Sequence, residues 1–169
     1  MNNYTAMDVA NYIVWYVNNS EEGPLGALTP LKLQKILYYV STTYLKKYNR
    51  LLFSDSFQKW QYGPVVKDVY HEFKTVGVNH ITSPKLSLHE KALAVFGGMK
   101  QEYDPRKINS DKEAVEIITQ VVNKLISRKA FDLVELTHKE VAWKDCIDDI
   151  MLGKELTYTA EELYSAEVI

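Results

Sequence analysis

The sequence predicts a mainly α fold: one compact helical domain over residues 1–169 with about six or seven helices, and room for a short extended segment or small hairpin around residues 51–62. Three observations carry that expectation. Apolar residues recur at helical spacing in several stretches. Helix start signals precede most of them. No internal repeat, low-complexity tract or linker divides the 169 residues, a length that suits one domain and buries roughly 70% of the unfolded surface.

The first helix follows Thr5-Ala6-Met7-Asp8, a capping-box pattern, and puts Val9, Tyr12, Ile13, Tyr16 and Val17 on one face. Residues 18–26 hold Asn, Ser, Gly and Pro and read as a loop. Thr29-Pro30 starts the second helix, because Pro suits the first helical position and pushes Thr29 into the extended backbone an N-cap needs. Its apolar stripe is Leu33, Ile36, Leu37, Val40 and Tyr44. Lys32, Lys35, Lys46 and Lys47 are expected in solvent, and the helix should end near Tyr48-Asn49.

Residues 51–62 are less periodic, and the alternation of Phe57, Lys59 and Gln61 with Gln58, Trp60 and Tyr62 admits an extended piece. Gly63-Pro64 punctuates it, and Pro64 is expected to open a third helix with Val66, Val69, Tyr70 and Phe73 inward. Residues 75–87 read as irregular. A short helix within 88–99 would end at Gly97-Gly98. Ser110-Asp111-Lys112-Glu113 reads as a capping box ahead of Ala114, Ile117, Ile118, Val121, Val122 and Leu125. A further helical region covers 132–151, with a break expected around Thr137-His138 and a stop at Gly153. Thr159-Ala160-Glu161-Glu162 starts a short last helix.

Composition narrows the chemistry. A net charge of -2 lacks the basic footprint of a general nucleic-acid binder or of a polybasic membrane surface. Cys146 is the one cysteine, so no intrachain disulfide and no thiolate-rich zinc site can form, and a free thiol fits a reducing compartment. Residues 1–8 lack signal-peptide character, and the apolar run 12–17 is too short to span a bilayer. A cytoplasmic location, in a bacterial or phage-infected cell, is expected.

Catalytic patterns are thin. Gly97-Gly98 lacks the remaining residues of a phosphate-binding loop, and His71-Glu72 is followed by Thr75 where a metalloprotease needs histidine. His71 or His138 could join Asp145, Asp148 or Asp149 around a metal, yet the same residues are ordinary for a solvated helix face. Acidic neighbours disfavour Cys146 as a nucleophile. Lys46-Lys47 and Arg128-Lys129 fit solvated helix ends, and the mixed charges after Pro64 do not make a DNA-recognition helix. No enzyme and no cofactor are expected.

Twelve tyrosines and three tryptophans are more telling. Such rings fill cores, and they also serve at protein interfaces, where they combine large area with a polar handle. Tyr12, Tyr16, Tyr44 and Tyr70 lie on core stripes. For Trp60, Tyr62 and Trp143 both roles stay open.

Three segments carry a resemblance: Leu28-Thr-Pro-Leu-Lys-Leu-Gln-Lys-Ile-Leu-Tyr-Tyr39, then Phe57-Gln-Lys-Trp-Gln-Tyr-Gly-Pro-Val-Val-Lys-Asp-Val-Tyr-His-Glu-Phe73, and Leu136-Thr-His-Lys-Glu-Val-Ala-Trp143. They resemble the helix, the W-x-Y-G-P-V turn and the late LTH…W segment of Panacea-domain (SocA-like, GepA-like) antitoxins. The chain departs from that pattern at Thr42-Thr43 and at Ala142, where the family often has a small residue with Trp, and Pro. The resemblance implies a non-catalytic antitoxin of a toxin–antitoxin system that binds a cognate protein toxin. The alternatives it leaves open are a protease adaptor, a phage-encoded regulator, a metal-dependent enzyme and a DNA-binding autorepressor. It makes Trp60, Tyr62, His138 and Trp143 the candidate partner-binding residues. Gly63, Pro64, Leu33 and Leu37 are the structural motif. The Trp60 turn and the Trp143 segment are expected to meet in space.

Overall fold

The computed structural model describes residues 4–86, 88–97 and 102–169. Among them are seven helices of six or more residues: α1 (Ala6–Asn18), α2 (Pro30–Tyr48), α3 (Lys67–Phe73), α4 (Leu88–Gly97), α6 (Lys112–Leu125), α7 (Ala130–Lys139) and α10 (Ala160–Ser165). Three shorter ones, α5 (Arg106–Asn109), α8 (Val141–Lys144) and α9 (Ile147–Met151), connect them. Strands β1 (Gln58–Trp60) and β2 (Gly63–Val65) form an antiparallel hairpin between α2 and α3. No helix among the described residues is long and apolar enough to cross a membrane.

The helix starts follow local chemistry. Thr5 and Asp8 form a capping box on α1, and Thr159 and Glu162 form one on α10. The Thr29 hydroxyl accepts from the Lys32 amide, with Pro30 just inside α2. Asn49 closes that helix in the left-handed region, at φ 51°. The start of α6 differs by one residue from the expected box. Asp111 is the cap, accepting from the Ala114 amide at 3.1 Å, because Ser110 is consumed in ending α5. The helix α4 runs to Gly97. Gly98 and Met99, expected at its end, lie outside the described residues.

Helix α2 is the axis of the molecule and packs against α1, α3, α6, α7, α10 and β2. Every residue from 32 to 42 is buried, so no polar stripe is left for solvent. This overturns the expectation that Lys32 and Lys35 are solvated. A helix enclosed on all sides buries its polar positions too, and each must then find a partner. Lys32 donates its ammonium to the Ile126 carbonyl at 2.9 Å, at the end of α6. Lys35 donates to the Pro64 carbonyl at 2.9 Å. Lys47, by contrast, is exposed and pairs with Glu116.

Two further expectations are corrected around the hairpin. Pro64 does not open a helix: it sits in β2 opposite Lys59, and α3 begins at Lys67 after the extended residue Val66. A proline is tolerated there because it lies on a short outer strand of the hairpin, where no ladder partner needs its missing N–H. Tyr70 is not in the core. Helix α3 buries Val69 and Phe73 and leaves Tyr70 37% exposed. Tyr16 is only half-buried. The helical region after Asp132 breaks at Glu140, in extended conformation, rather than at Thr137-His138, which complete the last turn of α7. Gly153 follows α9 with φ +79°.

Candidate functional site

The turn of the hairpin, Gln61-Tyr62, leads into Gly63, whose φ of +89° favours glycine. A Cβ here would stand 2.4 Å from the Thr137 hydroxyl and 3.0 Å from the Lys35 ammonium nitrogen. The absent side chain is what lets the strand settle between α2 and α7.

Four side chains then grip backbone groups of the hairpin and its exit, at Trp60, Gln61, Pro64 and Val66. Gln34 matches the peptide group of Val66 at both ends: its amide nitrogen donates to the Val66 carbonyl at 3.2 Å, and its oxygen accepts from the Val66 N–H at 2.9 Å. Lys35 holds the Pro64 carbonyl. It is fully buried, and desolvation brings its ammonium down to about 7. His138 bonds the Gln61 carbonyl through Nε2 at 3.0 Å. A carbonyl only accepts, so Nε2 carries a proton in this arrangement. Burial holds the His138 imidazole below its ordinary value, partly offset by that hydrogen bond, with Lys35 adding to the depression. Trp143 donates its indole N–H to the Trp60 carbonyl at 2.9 Å, and its ring stacks on His138 with 3.6 Å between centroids.

The far side of β1 is clamped as well. The Lys59 N–H donates to the Leu156 carbonyl and the Tyr158 N–H to the Phe57 carbonyl, making 156–158 a third strand in all but length. Lys59 is buried and its ammonium pairs with Glu162 of α10 at 2.7 Å. Glu140, in the break between α7 and α8, accepts from the Tyr38 hydroxyl at 2.6 Å, and burial pushes its carboxyl above the usual range.

So held, the hairpin presents aromatic rings outward. Trp60 is half-buried and meets Tyr70 edge to face at 4.9 Å between centroids. Tyr62 meets Phe131 of α7 edge to face at 5.9 Å. Tyr62 is 49% and Phe131 60% exposed. Pro30, Leu31, Gln34 and Val65 join Trp60, Gln61, Tyr62 and Tyr70 around a groove of about 390 Å³. None of these lining residues is charged.

The structure therefore divides the four candidate partner residues. Trp60 and Tyr62 face the groove. His138 and Trp143 stand behind it, with Trp143 only 5% exposed. Gly63 and Pro64 form the seat of the hairpin, and Leu33 and Leu37 are fully buried in the core. Tyr70, Phe131 and Leu31 complete the surface; none is among the partner-binding residues the sequence offers, and Tyr70 is expected from its spacing in the core. Phe131 had a signal: α7 buries Leu133, Val134 and Thr137, which leaves position 131 off that face.

Among the described residues no three His, Cys, Asp or Glu side chains come together as a metal site would need, His71, His138, Asp145, Asp148 and Asp149 included. Cys146 lies 3.5 Å from the Lys59 ammonium.

Comparison with known proteins agrees with the sequence motifs. The family model described as antitoxin SocA-like, Panacea domain, matches residues 33–144, more than half of the chain, from α2 to α8. No curated protein and no solved structure matches.

Proposed function

The chain belongs to the SocA-like Panacea-domain antitoxin family, and on that premise we propose that it neutralises a cognate protein toxin in the cytoplasm by direct binding through the aromatic face around Tyr62. The observation that supports this most is the pairing of exposure with rigidity. Exposed aromatic side chains are costly to leave in water and are usually ordered poorly. Here Trp60 packs on Tyr70 and Tyr62 on Phe131, and the Trp60 and Gln61 carbonyls at the turn are held by Trp143 and His138. Rings held in place before binding lose little entropy on binding, which is what interface anchors require.

In this reading Trp60, Tyr62, Tyr70 and Phe131 touch the toxin. His138 and Trp143 contribute by positioning, and the protein performs no catalysis. An uncharged groove asks for an apolar segment of the partner, with charged contacts left to its rim.

The test is growth rescue with co-purification. The reading frame adjacent to this gene is induced in bacteria with and without the protein. Relief of toxicity with a stable complex, both lost in the Tyr62→Asp/Phe131→Asp double variant, is the expected result. Rescue without a complex overturns direct neutralisation. Rescue that needs a host protease, with toxin levels falling, moves the role to delivery for degradation.

A further inference from the structure

Lys35 and His138 reach the same hairpin from two different helices. Lys35 comes from α2 and ties the Pro64 carbonyl at 2.9 Å; His138 comes from α7 and ties the Gln61 carbonyl at 3.0 Å. Between those carbonyls lie Tyr62 and Gly63, and Gly63 has no side chain to hold Lys35 away. Neither cation-forming group has a carboxylate partner within ion-pair distance among the described residues.

We infer that Lys35 and His138 form a proton-operated latch on the hairpin: uncharged, they hold the Gln61–Pro64 turn against α2 and α7, and charged together they drive it off. The latch is a property of this chain alone and does not depend on a toxin. If the proposed surface is the one used, it makes that surface sensitive to acid.

Among the described residues no carboxylate pairs with either group. On α2, Lys32 is committed to the Ile126 carbonyl and Tyr38 to Glu140. On α7, Glu135 is the carboxylate that acts on His138, and it only partly opposes the effect of burial. Past the end of α7, Glu140 is engaged by Tyr38. On β1, Lys59 is neutralised by Glu162. Thr137, the polar neighbour at Gly63, gives its hydroxyl proton to the Val134 carbonyl at 2.8 Å.

The consequence follows from desolvation. A lysine fully enclosed and served by a carbonyl is comfortable as an amine, which still donates one N–H to Pro64. On protonation it becomes an ammonium without counter-charge in a low-dielectric pocket. Protonation of His138 then adds a second cation to the same pocket. His138 is already partly open to solvent, but water can reach Lys35 only if the turn lifts away from Gly63, the tightest point of the seat. Burial sets the Lys35 proton uptake at about 7, and His138, held below its ordinary value, follows at lower pH, so the latch begins to loosen as pH falls through neutrality.

The experiment uses the full chain without partner. Heteronuclear NMR follows the Lys35 side-chain nitrogen and the His138 ring from pH 5 to pH 9, with hydrogen exchange of the Trp60–Val65 amides read in parallel. The expected result is a Lys35 midpoint near neutrality, and faster exchange of those amides, relative to the α6 amides, below it. In Lys35→Met the His138 midpoint moves upward and the exchange step near neutrality disappears. A Lys35 that titrates in the ordinary lysine range, or hairpin exchange that is flat across pH 6–8, overturns the latch. So does an unmoved His138 midpoint in Lys35→Met. Should Lys35→Met fail to fold, the wild-type titration and exchange decide alone.

Discussion

The indole N–H of Trp143 donates to the backbone carbonyl of Trp60 at 2.9 Å, across 83 residues of sequence. One tryptophan is thus a tether and the other is presented by it. Replacing Trp143 by Phe keeps most of the ring that stacks on His138 and removes the donor. A buried carbonyl left without a partner costs roughly 1–3 kcal/mol. We expect a fall of about that size in unfolding free energy by urea titration, and a Trp60 emission shifted to the red as the hairpin loosens.

Gly63 is the most constrained position in the hairpin. An alanine there meets both a left-handed backbone and the Thr137 hydroxyl at 2.4 Å. The backbone term alone is on the order of 1–3 kcal/mol. Gly63→Ala should lower the melting temperature strongly. Adding Thr137→Ala removes the colliding oxygen but not the backbone strain, so the pair should recover only part of the loss. Full recovery, or none, contradicts this division.

Surface and scaffold separate at Tyr62 and Phe131. Both rings are half exposed or more, so Tyr62→Ala and Phe131→Ala should each change unfolding free energy by only about 0.5 kcal/mol. On the proposed function, each should weaken binding of the toxin by roughly 1–2 kcal/mol or more, as truncation of an interface anchor does. Calorimetry of the complex beside denaturant unfolding of the free protein reads both numbers.

Glu140 gives a second, opposite pH response. Burial raises its carboxyl above the unfolded value, so the folded state holds a proton that the unfolded state has lost. That contribution to stability is complete below the ordinary glutamate range and disappears as pH rises through the raised folded value. Glu140→Gln keeps an acceptor for the Tyr38 hydroxyl and removes the buried charge. Its thermal stability should match or exceed wild type above that window, and the wild-type decline with pH across it should flatten. A parallel pH curve in the variant would show that Glu140 is not its source.

Local signals in the sequence were read well, and long-range ones were not. Thr5, Thr29 and Thr159 mark helix starts because a cap is a contact within three residues. Lys32 and Lys35 depart from the expectation because the helical period describes one buried face, and α2 is enclosed on every side over residues 32–42. Pro64 was misjudged for a related reason: its role is set by the strand it pairs with and by Lys35, not by the residues after it. The motifs around Trp60 and Trp143 were visible, and so was the expectation that they meet. Which ring faces outward was not, since that depends on hydrogen bonds from His138 and Trp143 that no spacing encodes.

The hairpin is completed from late in the chain: Trp60 waits for Trp143, and Lys59 for Glu162, 103 residues further on. During synthesis, therefore, the outward-facing rings cannot be ordered when they first leave the ribosome. They acquire their final positions only after α10 has emerged, many seconds later at ordinary elongation rates. A nascent chain would carry the aromatic residues without the surface they form in the folded protein.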